Sequence, residues 1–425
     1  MSYPNKKLQP DTPHVPWHLQ AAVYGIGLFS TTMFYLASVV VPLWVVSIES
    51  SPLLIGIVLG SRHLLPLFLS IHGGALMDRL GGRKVMVFFA IVGIIVPLLF
   101  PAMPWIWAIL ILQMIAGLSD SMGWLGAQTL IGHHMRGSTI YTARLSFTCR
   151  FGPLFAPPAI GWIWDTYGST WAFAGLSVWG LGMLMCSLIL PPHETKKSDR
   201  ITPRHTSIQI RDLLPRMGDY IDAFRLLSVP AIALIVMVSM LSHVGSSVQS
   251  SFYVVYLGGQ GFTGTEIGFL LTAASIAAAF GALSAHWVAS HIKPYWFIMA
   301  TILAGVLSVA VTPALGVLWL LMIASAVRGA ANGATQPIVI STVLRAVDVE
   351  TRGKAAGLRG TCNRVASIGA PVIMGGLAEI AGIEASFYIV GVIATILMGA
   401  LVIHVKRSPE LTASNQIYTE NEKRE

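Results

Sequence analysis

Residues 59–84 read LGSRHLLPLFLSIHGGALMDRLGGRK. The first half is apolar enough to cross a membrane, yet it carries Arg62 and His63 side by side. The second half ends in a glycine-rich, densely charged turn, and another apolar run starts directly after Lys84. A buried cation, a helix exit and a basic anchor thus follow one another in one segment. Lysine and arginine collect at cytoplasmic helix exits, so this turn marks the inner face of a membrane.

The rest of the chain extends that pattern. It has 425 residues, of which 54% are hydrophobic and only 11% charged, against about 25% charged in a soluble domain. Mean hydropathy is +0.70, so lipid is the expected solvent. Apolar runs able to cross ~30 Å of hydrocarbon lie at 20–46, 53–77, 84–101, 105–130, 141–164 and 171–190, then at 229–257, 266–289, 295–314, 317–343, 354–378 and 386–404. The fold class expected is an all-α membrane protein of about 12 transmembrane helices. Three units follow: an N-terminal six-helix half at 1–192, a basic cytoplasmic linker at 193–228, and a C-terminal six-helix half with a short tail at 229–425.

Orientation comes from charge placement. With the N-terminus inside, Lys6, Lys7, Arg79, Arg83, Lys84, Arg136, seven basic residues within 196–225, Lys293, Arg345, Arg352, Lys406 and Arg407 are all cytoplasmic. The outer loops at 49–51, 102–104, 165–170, 258–265 and 379–384 carry none, which is the positive-inside distribution. Both termini are therefore expected in the cytoplasm, with the protein multi-pass in a bacterial inner membrane. The net charge of +8 is read as this topology and not as a nucleic-acid surface. Cys149, Cys186 and Cys362 sit singly in apolar runs, as small core residues and not a disulfide frame or metal site.

The two halves repeat. One constant offset lays Arg150 on Arg364, Ala156-Pro157 on Ala370-Pro371, Gly161 on Gly375, Asp165 on Glu379, Gly168 on Gly382 and Phe173 on Phe387. Such a repeat in a chain of this many spans marks a secondary transporter whose site lies between the halves.

These features resemble the major facilitator superfamily. Gly74, Leu76, Asp78, Arg79, Gly81, Arg83 and Lys84 match that family's loop signature between the second and third helices when Gly82 counts as an extra residue. The fifth span resembles the antiporter-associated pattern G-P-x-x-G-G in its opening Gly152-Pro153, with Ala156-Pro157 where the glycine pair belongs. The fourth-span pattern, arginine four residues before glycine, has Gln113 before Gly117. The loop of the second half around 282–293 lacks the acid. The resemblance implies a conformational latch in which Asp78 accepts hydrogen bonds from the start of the eleventh span, near 351–353, in the outward-open state. Topological anchoring by the same charges is the alternative. Gly152, Pro153, Pro157 and Gly161, with Pro371 and Gly375 in the repeat, are the candidate helix hinges.

Four arginines lie near mid-depth: Arg62, Arg150, Arg328 and Arg364. Each costs at least ~2.5 kcal/mol at the bilayer centre, so each needs a partner or a watery cavity. The one acid at comparable depth is Asp120. Either Asn332, Asn363, Gln113, Gln336 and helix carbonyls solvate the arginines for packing, or the arginines form a cationic binding site. Guanidinium meets two oxygens of a carboxylate or phosphate at once. The candidate substrate-binding set is Arg62, Arg150, Arg328, Arg364, His243, Gln249, Asn332 and Gln336. Asp120 and His63 are the candidate proton carriers, with a structural salt bridge as the other role for Asp120. Tyr24, Tyr35, Trp124, Tyr253 and Tyr256 line the cavity or pack.

The expected function is secondary active export of a small organic anion, a carboxylate metabolite or siderophore-like molecule, driven by a proton gradient with no bound cofactor. A monomer with an anionic small-molecule partner is expected. Multidrug efflux and uptake of an organic acid or phosphate ester stay open. A membrane sensor or intramembrane enzyme is the reading outside transport; no paired acids, metal-spaced histidines or Ser–Lys dyad falls within the spans.

Overall fold

The computed structural model describes residues 15–135, 138–192, 225–346 and 352–408. The linker at 193–224 falls outside them. Within them all regular structure is helical, because in lipid a helix satisfies every backbone polar group internally.

The first six spans are α1 (Trp17–Ile48), α2 (Pro52–Ser61) with α3 (Leu64–Leu80), α4 (Gly82–Ala102), α5 (Ile106–His134), α6 (Thr139–Thr148) with α7 (Phe151–Tyr167), and α8 (Ser169–Ile189). After a short 3-10 turn at Leu226–Ser228 come α9 (Pro230–Gln249) with α10 (Phe252–Gly259), α11 (Gly264–His291), α12 (Pro294–Ala310) with α13 (Thr312–Leu315), α14 (Leu318–Ala346), α15 (Arg352–Ala381) and α16 (Ile383–Arg407). Nine stretches among the described residues are long and apolar enough to cross a membrane on their own. The other three spans are the fifth, which is broken; the ninth, whose main helix has 17 residues; and the tenth, whose arginine, asparagine and glutamine dilute its hydropathy.

Four spans expected to run unbroken do not. The second breaks at Arg62–His63 and the fifth at Cys149–Arg150. In both, a proline stands four residues after the break's first residue: Pro66 after Arg62, and Pro153 after Cys149. A proline lacks the N–H that would pair with the carbonyl four back, and its ring crowds that carbonyl. The seventh span breaks at Ser250–Ser251 without a proline. There Ser250 Oγ donates to the Ser246 carbonyl (3.1 Å) and Ser251 Oγ to the Ser247 carbonyl (2.5 Å); such back-bonding bends helices. The ninth breaks at Val311, before Pro313. Pro42, Pro337 and Pro371 sit inside continuous helices.

The halves carry the same design. Gly168 and Gly382, matched by the repeat, both turn the chain at positive φ, 85° and 86°, a conformation that favours glycine. Each half has its own packed cluster, one around Ile26, Met86 and Leu130, the other around Ile235, Ile302 and Met398. A third cluster spans both halves and includes Val39–Val41 of α1, Leu176 of α8 and Phe252–Leu257 of α10. Small residues let helices approach, as they must where lipid supplies no hydrophobic drive: a Cβ on Gly329 or Gly333 would overlap the carbonyl of Ala274 or Ala278. Large apolar side chains face outward instead, Ile380 at 88% exposure and Leu283 at 80%, an arrangement suited to lipid and hazardous in water.

The halves meet closely at one end. There α7 packs on α11, and α15 on α2. At the other end, which carries Trp17 and Arg407, α6 packs on α1, α5 and α7 of its own half. Among the described residues the molecule is therefore shut at the end bearing Asp165 and Glu379, while at the end bearing Trp17 and Arg407 α6 keeps to its own half.

Candidate functional site

A central cavity of about 610 Å³ lies between the halves. Its wall takes residues from α1, α5, α6, α7 and the α2–α3 break in the first half, and from α9, the α9–α10 break, α11, α14 and α15 in the second. The breaks in spans two, five and seven all open onto it, at His63, Arg150 and Ser250. Breaking a helix there frees backbone groups where a watery cavity can satisfy them, which is where interrupted helices are tolerated in a membrane.

The four mid-depth arginines divide. Arg150 stands on the cavity wall, exposed, and its guanidinium makes no hydrogen bond or ion pair to the described residues. Arg328 also lines the wall, is 8% exposed, and donates a short hydrogen bond to Gln249 Oε1. Arg62 is different. It is withdrawn behind the main wall, pairs closely with Asp120, donates to Gln113 Oε1 at 2.8 Å, and lies over the Phe34 ring at 5.8 Å. It has the partners that the packing alternative asked for. Arg364, expected to face Arg150 across the pseudo-symmetry axis, is half-buried and off the wall; α15 meets the cavity through Ser367. The same holds for Gln336, one turn beyond Asn332, which does line the cavity.

The remaining candidates fall as follows. His243 lines the wall, with Nδ1 3.0 Å from the Ser239 carbonyl. His63 and Asp120 both reach the wall. Tyr35 and Trp124 line it, whereas Tyr24, Tyr253 and Tyr256 pack in the clusters. The side chains of Gly74, Asp78 and Arg79, and residue 351, lie outside what the structure describes, as do those of 352 and 353. Gly81 joins α3 to α4, and Arg83 and Lys84 open α4. Of the candidate hinges, Gly152 packs against Thr32, Gly161 and Gly375 sit at inter-half contacts, and Pro157 and Pro371 lie within helices. The break of span five itself lies one residue before Phe151, ahead of Gly152-Pro153.

Two aspects of the wall were not legible beforehand. Serines from both halves line it, among them Ser30, Ser38, Ser121, Ser146, Ser246 and Ser275. A single serine in an apolar helix reads as packing, and only the three-dimensional arrangement gathers them. The other is the role of Gln113 and Gly117. Gln113 holds Arg62, and a Cβ on Gly117 would overlap the Arg62 carbonyl. Span four thus receives an arginine from span two at the position where the family pattern puts its own. Gly117→Ala is expected to force α5 away from the α2–α3 break, at about 1–3 kcal/mol for overpacking. Thermal unfolding of the purified variant measures it.

No group of three or more histidine, cysteine or acidic residues placed to hold a metal occurs among the described residues.

Comparison with known proteins fits this geometry. Residues 23–241 and 235–420 each match the family model described as Major Facilitator Superfamily. No curated protein matches the sequence. Among solved structures, the nucleoside transporter NupG superposes with a TM-score of 0.73 at 16% identity, covering 92% of this chain and 100% of that one. A POT family transporter in complex with a thioalcohol-conjugated peptide superposes at 0.70 and 11% identity, over 92% and 96%. At such identities the likeness is one of fold. Two consecutive family matches across nearly the whole chain, on two six-helix halves around a central cavity, carry the conclusion: this chain belongs to the major facilitator superfamily and is a multi-pass membrane transporter.

Proposed function

We propose that the protein exports a small organic anion in exchange for protons. The observation that carries the sign of the cargo is Arg150, an arginine on the cavity wall with no hydrogen-bond or ion-pair partner among the described residues, accompanied by Arg328 from the opposite half, whose partner is the neutral Gln249. The one carboxylate on the wall, Asp120, is already paired with Arg62. Two positive charges therefore face the cavity uncompensated, and a low-dielectric wall makes them strongly attractive to an anion. The serines supply further hydrogen bonds, and Tyr35, Trp124 and Phe34 supply apolar contact.

A carboxylate metabolite or a siderophore-like molecule bearing carboxylates fits such a wall. With both termini in the cytoplasm, as the basic residues argue, the cavity opens inward and the conformation seen here is the one that loads cargo for export. Asp120, held by Arg62 at the edge of the cavity, is the proposed proton carrier, with His63 beside it.

A serine-rich, partly aromatic wall also suits a neutral polar cargo of the kind named for the nucleoside transporter NupG, and direction and cargo are tested together. In inside-out vesicles, an imposed proton gradient is expected to drive accumulation of a carboxylate through the protein. Accumulation of nucleosides but of no carboxylate would overturn the anionic reading. Carboxylate flux indifferent to the gradient would overturn the coupling.

A further inference from the structure

The shut end of the molecule is held by the same device twice. At the end of α7, Asp165 Oδ1 accepts from the backbone N–H of Gly264 (2.7 Å), and Oδ2 accepts from Thr265 N–H (2.8 Å) and Thr265 Oγ (2.5 Å). Near the end of α15, Glu379 Oε2 accepts from Ser51 Oγ (3.0 Å) and Leu53 N–H (3.2 Å). Each carboxylate thus crosses from one half to the other and binds the first turn of a helix there, α11 or α2. Free N–H groups and a positive dipole end make that turn a natural partner for an anion.

The two contacts are related by the internal repeat, which lays Asp165 on Glu379. One turn back on the same helix face stand Gly161 and Gly375, also matched by the repeat. A Cβ on Gly161 would overlap the Gly264 carbonyl and Thr265 N, and one on Gly375 the Pro52 carbonyl. A second tier follows: Gly268 meets Pro157, and Gly56 meets Pro371, the two prolines again matched by the repeat. Close backbone approach and a bridging carboxylate therefore recur in the same register on both sides of the cavity. Side-chain burial alone would not require an acid at either position, since the glycines already provide the fit.

We infer that Asp165 and Glu379 are paired latches that hold this end of the transporter closed, and that they act in parallel, each setting part of the balance between the conformation seen here and the one open at this end. For the end to open, both carboxylates must leave their helix N-termini. The inference rests on the fold and the hydrogen bonds, and not on the sign or direction of the cargo.

Electron-spin distance measurement tests it. Spin labels at Thr170→Cys in the first half and Gln260→Cys in the second, with Cys149, Cys186 and Cys362 replaced by serine, report the separation at this end. The parent should show mainly the short distance. Asp165→Ala and Glu379→Ala should each raise the ratio of long to short distance by about tenfold, the loss of charge-assisted hydrogen bonds, and the double variant by their product. Where an alanine variant does not fold, Asp165→Asn and Glu379→Gln carry the test, with a smaller shift in the same direction. An unchanged distribution in a folded double variant would overturn the latch. A shift produced wholly by one carboxylate would overturn the parallel action.

Discussion

Arg150→Gln is expected to cut anion flux sharply at sub-saturating cargo while making the protein no less stable. Among the described residues Arg150 has no hydrogen-bond or ion-pair partner in the cavity wall, so its removal breaks no such contact. What is lost is the fork that would meet two oxygens of the cargo, a charge-assisted contact of about 1.5–3 kcal/mol. Affinity should therefore fall roughly ten- to a hundredfold. Arg150→Lys keeps the charge but not the fork, and should recover only part of the affinity. Flux assays in proteoliposomes and thermal unfolding of the same preparations check both halves. A variant that transports normally, or one that fails by unfolding, would contradict the role given to Arg150.

Asp120→Asn is expected to do the reverse and damage stability first. Its partner Arg62 is 7% exposed and would be left as a buried charge with only Gln113 and the Phe34 face. Breaking one side of a buried pair costs about 3–5 kcal/mol, whereas replacing both members is often neutral. The double variant Arg62→Gln, Asp120→Asn should therefore regain most of the thermal stability lost by the single one. In the proposed mechanism it should still exchange cargo for cargo but no longer respond to a proton gradient, because the carrier of the proton is gone. Gradient-driven transport in the stable double variant would remove Asp120 from coupling and leave it a structural ion pair.

These two expectations also show what the sequence could convey. Hydropathy and charge located every span to within a few residues, because membrane thickness and the positive-inside bias act on long stretches. The repeat that lays Asp165 on Glu379 was readable as matched letters, and the structure turns it into two equivalent contacts. The interruptions were less legible. Pro66 and Pro153 break their helices, while Pro337 and Pro371 do not, so the residue alone does not decide; at spans two and five the break opens onto the central cavity. The arginines show the same limit. Depth placed Arg62, Arg150, Arg328 and Arg364 together, but the rotation of each helix separates them, and Arg62 meets Asp120 while Arg150 faces open space.

The sign of the cargo rests on that open space, and the most direct measurement compares charged and neutral forms of one ligand. Purified protein would be titrated with small carboxylates and with the neutral amide or ester of each, with thermal stabilisation as the readout. The account expects at least one acid to stabilise the protein where its amide does not, and Arg150→Gln to erase that difference. Amides that bind as well as their acids, or an acid that binds Arg150→Gln as tightly as the parent, would contradict it.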